Sequence, residues 1–312
     1  MADGAVGEKA EFSRRFVTLG LGAAMAMSPT IVRASGSLSG FYNVRDYGAV
    51  GDGVAIDSGA INKAIEAAAA KGGGTVVDGT YQPSPYMSVD NVGVLGRIKL
   101  GTDSAAGFRN ILVSDCICEN TRGLQMGAID GGILEDVTFS DIILRNPVNH
   151  PIFVRLSARN RAPRGAAMSQ VRRVRFSNIN VSGARGDFAS GVVGIPGGII
   201  EDVSFSDIHV RSSGGGTREE AAREIPERIN SSLEPNFMGV FPAHGLYVRH
   251  ARNITVKDTT FEVEQADARP AVVMDSVEGA VVDGLRSSLA PRAAVRAVRS
   301  RDIQTGDISR LS

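Results

Sequence analysis

An all-β fold, a right-handed parallel β-helix closed at its N-terminal end by one capping helix, is what this 312-residue sequence predicts. Three observations predict it. A strand–turn–strand pattern recurs along the chain, a shorter strand-like piece separates successive copies, and one amphipathic helical stretch precedes them all.

The recurring unit reads apolar, any, apolar, polar, Asp/Asn/Gly, apolar or Thr, any, apolar. It stands at residues 111–118, 137–144, 174–181 and 203–210, with Asp115, Asp141, Asn178 and Asp207 at the turn position. Later copies begin at Ile254 with Asp258 and, weakened, at Ala280 with Gly284 and Ile303 with Asp307. Alternation on both sides of the turn residue predicts strands. Asp, Asn and Gly best tolerate the left-handed backbone that a sharp bend requires. The shorter pieces between copies lie at 123–126, 151–156, 191–193, 245–248 and 271–274.

Starts of the copies are separated by 26 residues (111 to 137), then 37, 29, 51, 26 and 23. The short intervals fit one coil. The two long ones hold loops, at 157–170 and 212–244, and Thr217 with Glu220 predicts a capping box for a short helix in the second. Stacked coils bring equivalent positions to about 4.8 Å from one another. An antiparallel sandwich also has many short strands, but it does not demand the same residue types at the same place in every copy.

For the capping helix, Asp57 is the expected N-cap and Ile61, Ala64, Ile65 and Ala68 form one face. Gly72, Gly73 and Gly74 end it, and 75–77 returns as a strand. No Gly-Lys-Ser/Thr follows the glycines, which excludes a phosphate loop. Ahead of the fold, Arg14 and Arg15, an apolar run at 19–27 and Ala34 read as a twin-arginine export signal, with a basic tail as the alternative. The expected organisation is therefore a signal peptide at 1–34, an N-terminal strand and capping helix at 35–77, and β-helix coils at 78–312. Export implies a periplasmic or secreted protein with no stable membrane anchor after cleavage.

Lysine plus arginine equals aspartate plus glutamate at 34 each, so no global field draws the chain to nucleic acid. Trp is absent and aromatics are 5%, which disfavours a sugar-binding module built on stacking. Cys116 and Cys118 are predicted to point to one side of a strand as core residues, and two cysteines alone supply no metal site. No metal or cofactor is expected. Arg155, Arg159, Arg161 and Arg164 belong to a stretch, 155–175, without acidic residues. They read either as the wall of a polyanion groove or as a solvated face.

Residues 41–53, 60–65 and 72–76 look like the opening of pectin-lyase-fold proteins. Arg97, Ile98 and Lys99 resemble the Arg-Ile-Lys motif of glycoside hydrolase family 28, the polygalacturonase family, and the likeness covers nearly all of 41–290. It implies that Arg97 and Lys99, facing one side of a strand, hold the uronate carboxylate of an acidic plant cell-wall polysaccharide, a galacturonan or rhamnogalacturonan. Such a hydrolase needs two carboxyl roles. The family's Asn-Thr-Asp, Asp-Asp and Gly-His-Gly motifs are absent here, and only 78–96 occupies the interval where they belong. The resemblance thus implies an internal loss of the catalytic coils. Asp78, Asp90, Asp103, Glu119 and Asp130 flank the motif without identifying an acid–base pair, so the catalytic residues are unknown. A pectin-directed hydrolase with impaired catalysis is the first expectation, and a non-catalytic acidic-polysaccharide-binding β-helix is the alternative. A lyase using an arginine or lysine base is the third.

Overall fold

In a computed structural model the chain is described at residues 41–51, 55–71, 74–77, 87–89, 97–161 and 167–311. The expected signal peptide at 1–34 lies outside the described residues, as do Gly72, Gly73, Asp78, Asp90 and Arg164.

The chain forms a right-handed parallel β-helix. In the middle coils a short strand leads into a longer one. Leu124–Ala128 leads to Ile133–Arg145, Ile152–Leu156 to Gln170–Ala184, and Ser190–Val193 to Ile199–Gly214. Further on, Leu246–Lys257 continues into Thr260–Gln265, and Val272–Asp283 into Leu285–Ser287. Neighbouring coils pair in parallel, and the register joins the positions that the repeat predicts. Ile111 lies beside Val137, Val137 beside Val174, and Val174 beside Val203. The ladder goes on through Ile254 and Ala280 to Ile303.

The predicted turn residues are the bends. Asp115, Asp141, Asn178, Asp207 and Asp258 all have φ between 48° and 57°. A second corner, which the pattern does not mark, lies five residues earlier in most coils, at Asn110, Asp136, Arg173, Asp202, Asn253 and Asp302. The two corners split each long strand into two walls, so a coil has three.

Alternation puts one apolar set inside. Val137, Phe139, Ile142 and Leu144 are all buried, as are Val174, Phe176, Ile179 and Val181. Phe139, Phe176 and Phe205 stack along the interior with ring centroids 5.7 and 5.1 Å apart. Cys116 and Cys118 are free thiols in this core. Burial pushes the Cys118 thiol up to about 12, which leaves it an unreactive apolar filler.

The capping helix spans Ser58–Ala70 and buries Ile61, Ala64, Ile65 and Ala68, the predicted face. Asp57 stands at the N-cap, as expected, but its side chain makes no capping hydrogen bond. Its carboxylate instead accepts from the backbone N–H groups of Val50 and Gly51, each at 2.7 Å, and so fastens the entry turn. The strand Gly74–Val77 then pairs directly with the first repeat copy, Gly74 beside Ile111 and Val76 beside Val113. Cap and first copy are thus adjacent in the ladder. Among the described residues, no helix is long and apolar enough to cross a membrane.

Candidate functional site

The short strands and, in the later coils, the opening residues of Leu246–Lys257 and Val272–Asp283 form one wall of the rod, and its outer face carries the site. Lys99, Gln125, Phe153, Gly191, Tyr247 and Val273 follow one another across successive coils on this face. At the first of these strands, Ile98 and Leu100 are buried inward. Arg97 and Lys99 therefore point outward together, as their spacing predicts.

They do not face open solvent. The 215–244 loop, which accounts for the 51-residue interval, folds across this wall and builds a second core. Ile225, Leu233, Met238 and Phe241 of the loop pack with Phe153, Val193, Tyr247 and Val273 of the strands. Gly127 lets this happen. A Cβ there would stand 2.6 Å from Leu233 and 2.4 Å from the Arg155 carbonyl oxygen.

Arg155 is fully buried and ties the loop down. It donates to the carbonyl oxygens of Glu227 and Arg228, at 3.2 and 2.7 Å, and to those of Val193 and Gly194. This corrects the reading of Arg155 as part of a polyanion groove, since its charge is spent on carbonyls. Arg159 is likewise committed. It forms a two-pronged pair with the fully buried carboxylate of Asp130, with Nε to Oδ1 at 2.9 Å.

The loop also carries Glu234 onto the cations. Its Oε2 lies 2.9 Å from Arg97 Nη1 and 3.7 Å from Arg122 Nη1, and its Oε1 lies 3.2 Å from Lys99 Nζ. Arg97 Nη1 also donates to Gln125 Oε1 at 2.9 Å, and Lys99 Nζ donates to Thr102 Oγ1. The Nε2 of fully buried Gln125 has no partner among the described residues. Arg97, Lys99, Arg122 and Glu234 are each between 11% and 27% exposed, so the cluster sits at the edge of the covered face.

Charge in the cluster is tuned by its neighbours. Burial and the Arg97 charge hold the Lys99 ammonium below the usual lysine range, against the pull of Glu234. Burial alone would raise Glu234, but hydrogen bonding and charge from Arg97 and Lys99 outweigh it and keep the carboxyl below its usual range. The arrangement is a seat for one carboxylate, made of three cations.

Of the carboxylates flanking the motif, Asp130 is locked to Arg159 and Glu119 is paired with Arg145. Asp103 is exposed and accepts from the Ala105 N–H at 3.2 Å. Each of these three described carboxylates is thus engaged away from the seat. A separate groove of about 980 Å³ runs along the outer face of the middle strands. Thr138, Arg175, Ser204, Thr255 and Gln304 lie along it, and it is remote in sequence and in wall from Arg97.

Arg122 and Glu234 are the members that sequence reasoning missed. Glu234 stands 135 residues from Lys99, and no periodicity or motif marks it. Arg122 precedes a short strand much as Arg97 does, which was the available signal.

Residues 41–85 match the family "Rhamnogalacturonase A/epimerase, pectate lyase-like". The chain is also similar to mannuronan C5-epimerases of Azotobacter vinelandii. It is 66% identical to AlgE2 over 118 residues, covering 29% of this chain and 12% of that protein. With AlgE3 it shares 51% over 121 residues, covering 30% and 7%. The chain therefore matches only a small part of the length of these relatives. Among solved structures, the AlgE4 A-module of Azotobacter vinelandii aligns at 16% identity and a TM-score of 0.23, covering 86% of this chain and 96% of that one. The similarity thus covers residues 41–85 for the pectate lyase-like family and under a third of the chain for the mannuronan C5-epimerases, and it does not single out glycoside hydrolase family 28.

Proposed function

We propose that this chain binds a uronic-acid polysaccharide through Arg97, Lys99 and Arg122 and does not hydrolyse it. The convergence of three cations on one carboxylate carries the reading. Arg97 supplies a planar donor fork and Lys99 a point charge, the combination that recognises a carboxylate. Among the described residues, hydrolysis by two carboxyl groups finds no support around this seat. The carboxylates that surroundings shift in this region, Asp130 and Glu234, are both shifted downward by arginine, which suits neither as a proton donor. The Arg-Ile-Lys motif favours a galacturonan, and the epimerase relatives favour a mannuronan. An exported location, read from Arg14 and Arg15, accords with a polymer that does not enter cells.

The test is affinity of the purified protein for polygalacturonate and polymannuronate, beside Arg97→Ala. Loss of charge-assisted hydrogen bonds to a carboxylate should weaken binding about 10- to 100-fold. Binding that ignores the substitution, or reducing-sugar release from either polymer, would overturn the reading.

Lys99 favours a second reading. A lysine held below its usual range beside a carboxylate-binding arginine gives up its own proton more readily, and its neutral amine is suited to remove the proton on the carbon next to a bound uronate carboxylate. Return of a proton from water to the opposite face would invert that carbon, while departure of the 4-linked oxygen, protonated to a hydroxyl as the carbon–carbon double bond forms, would cleave the chain. In deuterated water the first outcome puts deuterium into the polymer, and the second yields an ultraviolet-absorbing product. Both signals should vanish in Lys99→Met. Their absence in the parent protein leaves binding alone.

A further inference from the structure

We infer that Glu234 is an internal stand-in for the ligand carboxylate, and that polysaccharide enters by exchanging with it while the rest of the loop stays in place. The inference rests on the proposed function and concerns how that site is controlled.

Three features support it. First, the charge balance of the seat suits a one-for-one exchange. Arg97, Lys99 and Arg122 share one carboxylate, with oxygens 2.9 to 3.7 Å from the cations. An incoming uronate carboxylate replaces like with like, so the cations are never left bare. An empty seat, by contrast, would take from Arg97 and Lys99 the carboxylate that they share in partly buried surroundings.

Second, the loop is fixed on both sides of Glu234 by contacts other than those of Glu234, whose side chain is held by the seat's cations. Arg155 grips the backbone at Glu227 and Arg228, and the Ser157 hydroxyl donates to the Ser231 carbonyl oxygen at 2.7 Å. Leu233 and Phe241 are wholly buried in the second core. Between them Glu234 is one-quarter exposed and introduces the 3-10 turn Pro235–Met238 without a side-chain cap bond to it. Rotation of its side chain opens the seat without lifting the loop, a motion that rotamer changes accomplish in picoseconds to nanoseconds.

Third, the seat has donor capacity that Glu234 leaves unused. The Gln125 Nε2 is buried without a partner among the described residues, while its Oε1 accepts from Arg97. A sugar carboxylate carries neighbouring ring and hydroxyl oxygens that a glutamate side chain lacks. Those oxygens are acceptors for this donor.

An internal competitor on a short tether has an effective concentration in the millimolar range. Removing it should therefore strengthen ligand binding. The experiment measures affinity for polymannuronate and polygalacturonate in the parent protein, Glu234→Gln, Glu234→Ala and Glu234→Gln combined with Arg97→Ala. Far-ultraviolet circular dichroism and the melting temperature of each variant establish that it is folded.

The expected result is at least about tenfold tighter binding in Glu234→Gln, lost again in the double variant. Equal or weaker binding in the folded Glu234→Gln, with the parent still sensitive to Arg97→Ala, overturns the exchange and leaves the carboxylate seat standing. No binding by parent or single variants overturns both. Should Glu234→Ala fail to fold, the isosteric glutamine decides alone. As a second readout, saturating polymer should leave the protease resistance of 222–232 unchanged. A large rise in cleavage there would mean that the whole loop lifts, against the local exchange.

Discussion

Phe176→Ala should destabilise the protein by about 3–5 kcal/mol, the largest loss expected from any single truncation in the rod. Its ring stands between Phe139 and Phe205 in the interior stack and is fully buried. Truncation removes contacts with the coils on both sides, and a cavity there cannot collapse without displacing two paired strands. Because each coil is stable only against its neighbours, the loss is transmitted to the cooperative unit. Denaturant unfolding followed by circular dichroism measures it. Phe176→Leu, which keeps most of the volume, should lose less than half as much. A loss under about 1 kcal/mol in Phe176→Ala would mean that the stack is loosely packed.

Mild acid should produce the second large effect, through two buried histidines, His150 and His244. His150 is packed among Phe153, Phe188 and Phe241, and burial lowers its pKa to about 4 despite its bond to the Ala189 carbonyl oxygen and the nearby Asp187. His244 is lowered to about 4 by burial, with Asp267 raising and Arg269 lowering it further. In the unfolded chain each imidazole takes a proton near pH 6.5. Between pH 6.5 and 4 the unfolded state therefore binds more protons than the folded one, and stability falls as pH falls. The loss approaches about 3 kcal/mol per histidine at pH 4.

Asp130 and Asp267 act in a different window. Arg159 and Arg269 hold their carboxyls below the usual range, so their contribution is lost only at more acid pH still. Denaturant midpoints at pH 7.5 and 4.5 should differ markedly in the parent and much less in His150→Leu combined with His244→Leu. An equal slope in that double variant would show that other groups control acid unfolding.

The ladder was legible because its signal is local and repeated. Asp115, Asp141, Asn178 and Asp207 stand at equal places between apolar alternations, and each bend needs the conformation those residues tolerate. The corner at Asn110, Asp136 and Arg173 escaped notice because Arg173 has no turn signature. Its side chain pairs with Glu135 and Asp136 of the preceding coil, a tertiary interaction that no spacing displays. Arg97 and Lys99 were found as a pair, but their partner was not. Glu234 reaches them only because Leu233, Phe241 and Arg155 fold an apparently irregular loop onto the wall, and contacts of that kind follow from shape. The same contacts turned Arg155 from a supposed surface cation into a buried clamp.

The intervals of the ladder bear on how the chain finds its fold. Partners in successive copies are between 23 and 51 residues apart, from Ala280 with Ile303 to Val203 with Ile254. Parallel sheets usually demand remote encounters, which slow folding. Here each rung is a modest closure onto the one before it, and the pathway can advance as a zipper. Even the interval that carries the covering loop, about twice the shortest, adds only about 0.6 kcal/mol of closure entropy per doubling. A whole lid has thus been placed between two rungs at little kinetic or thermodynamic expense, without disturbing the register on either side.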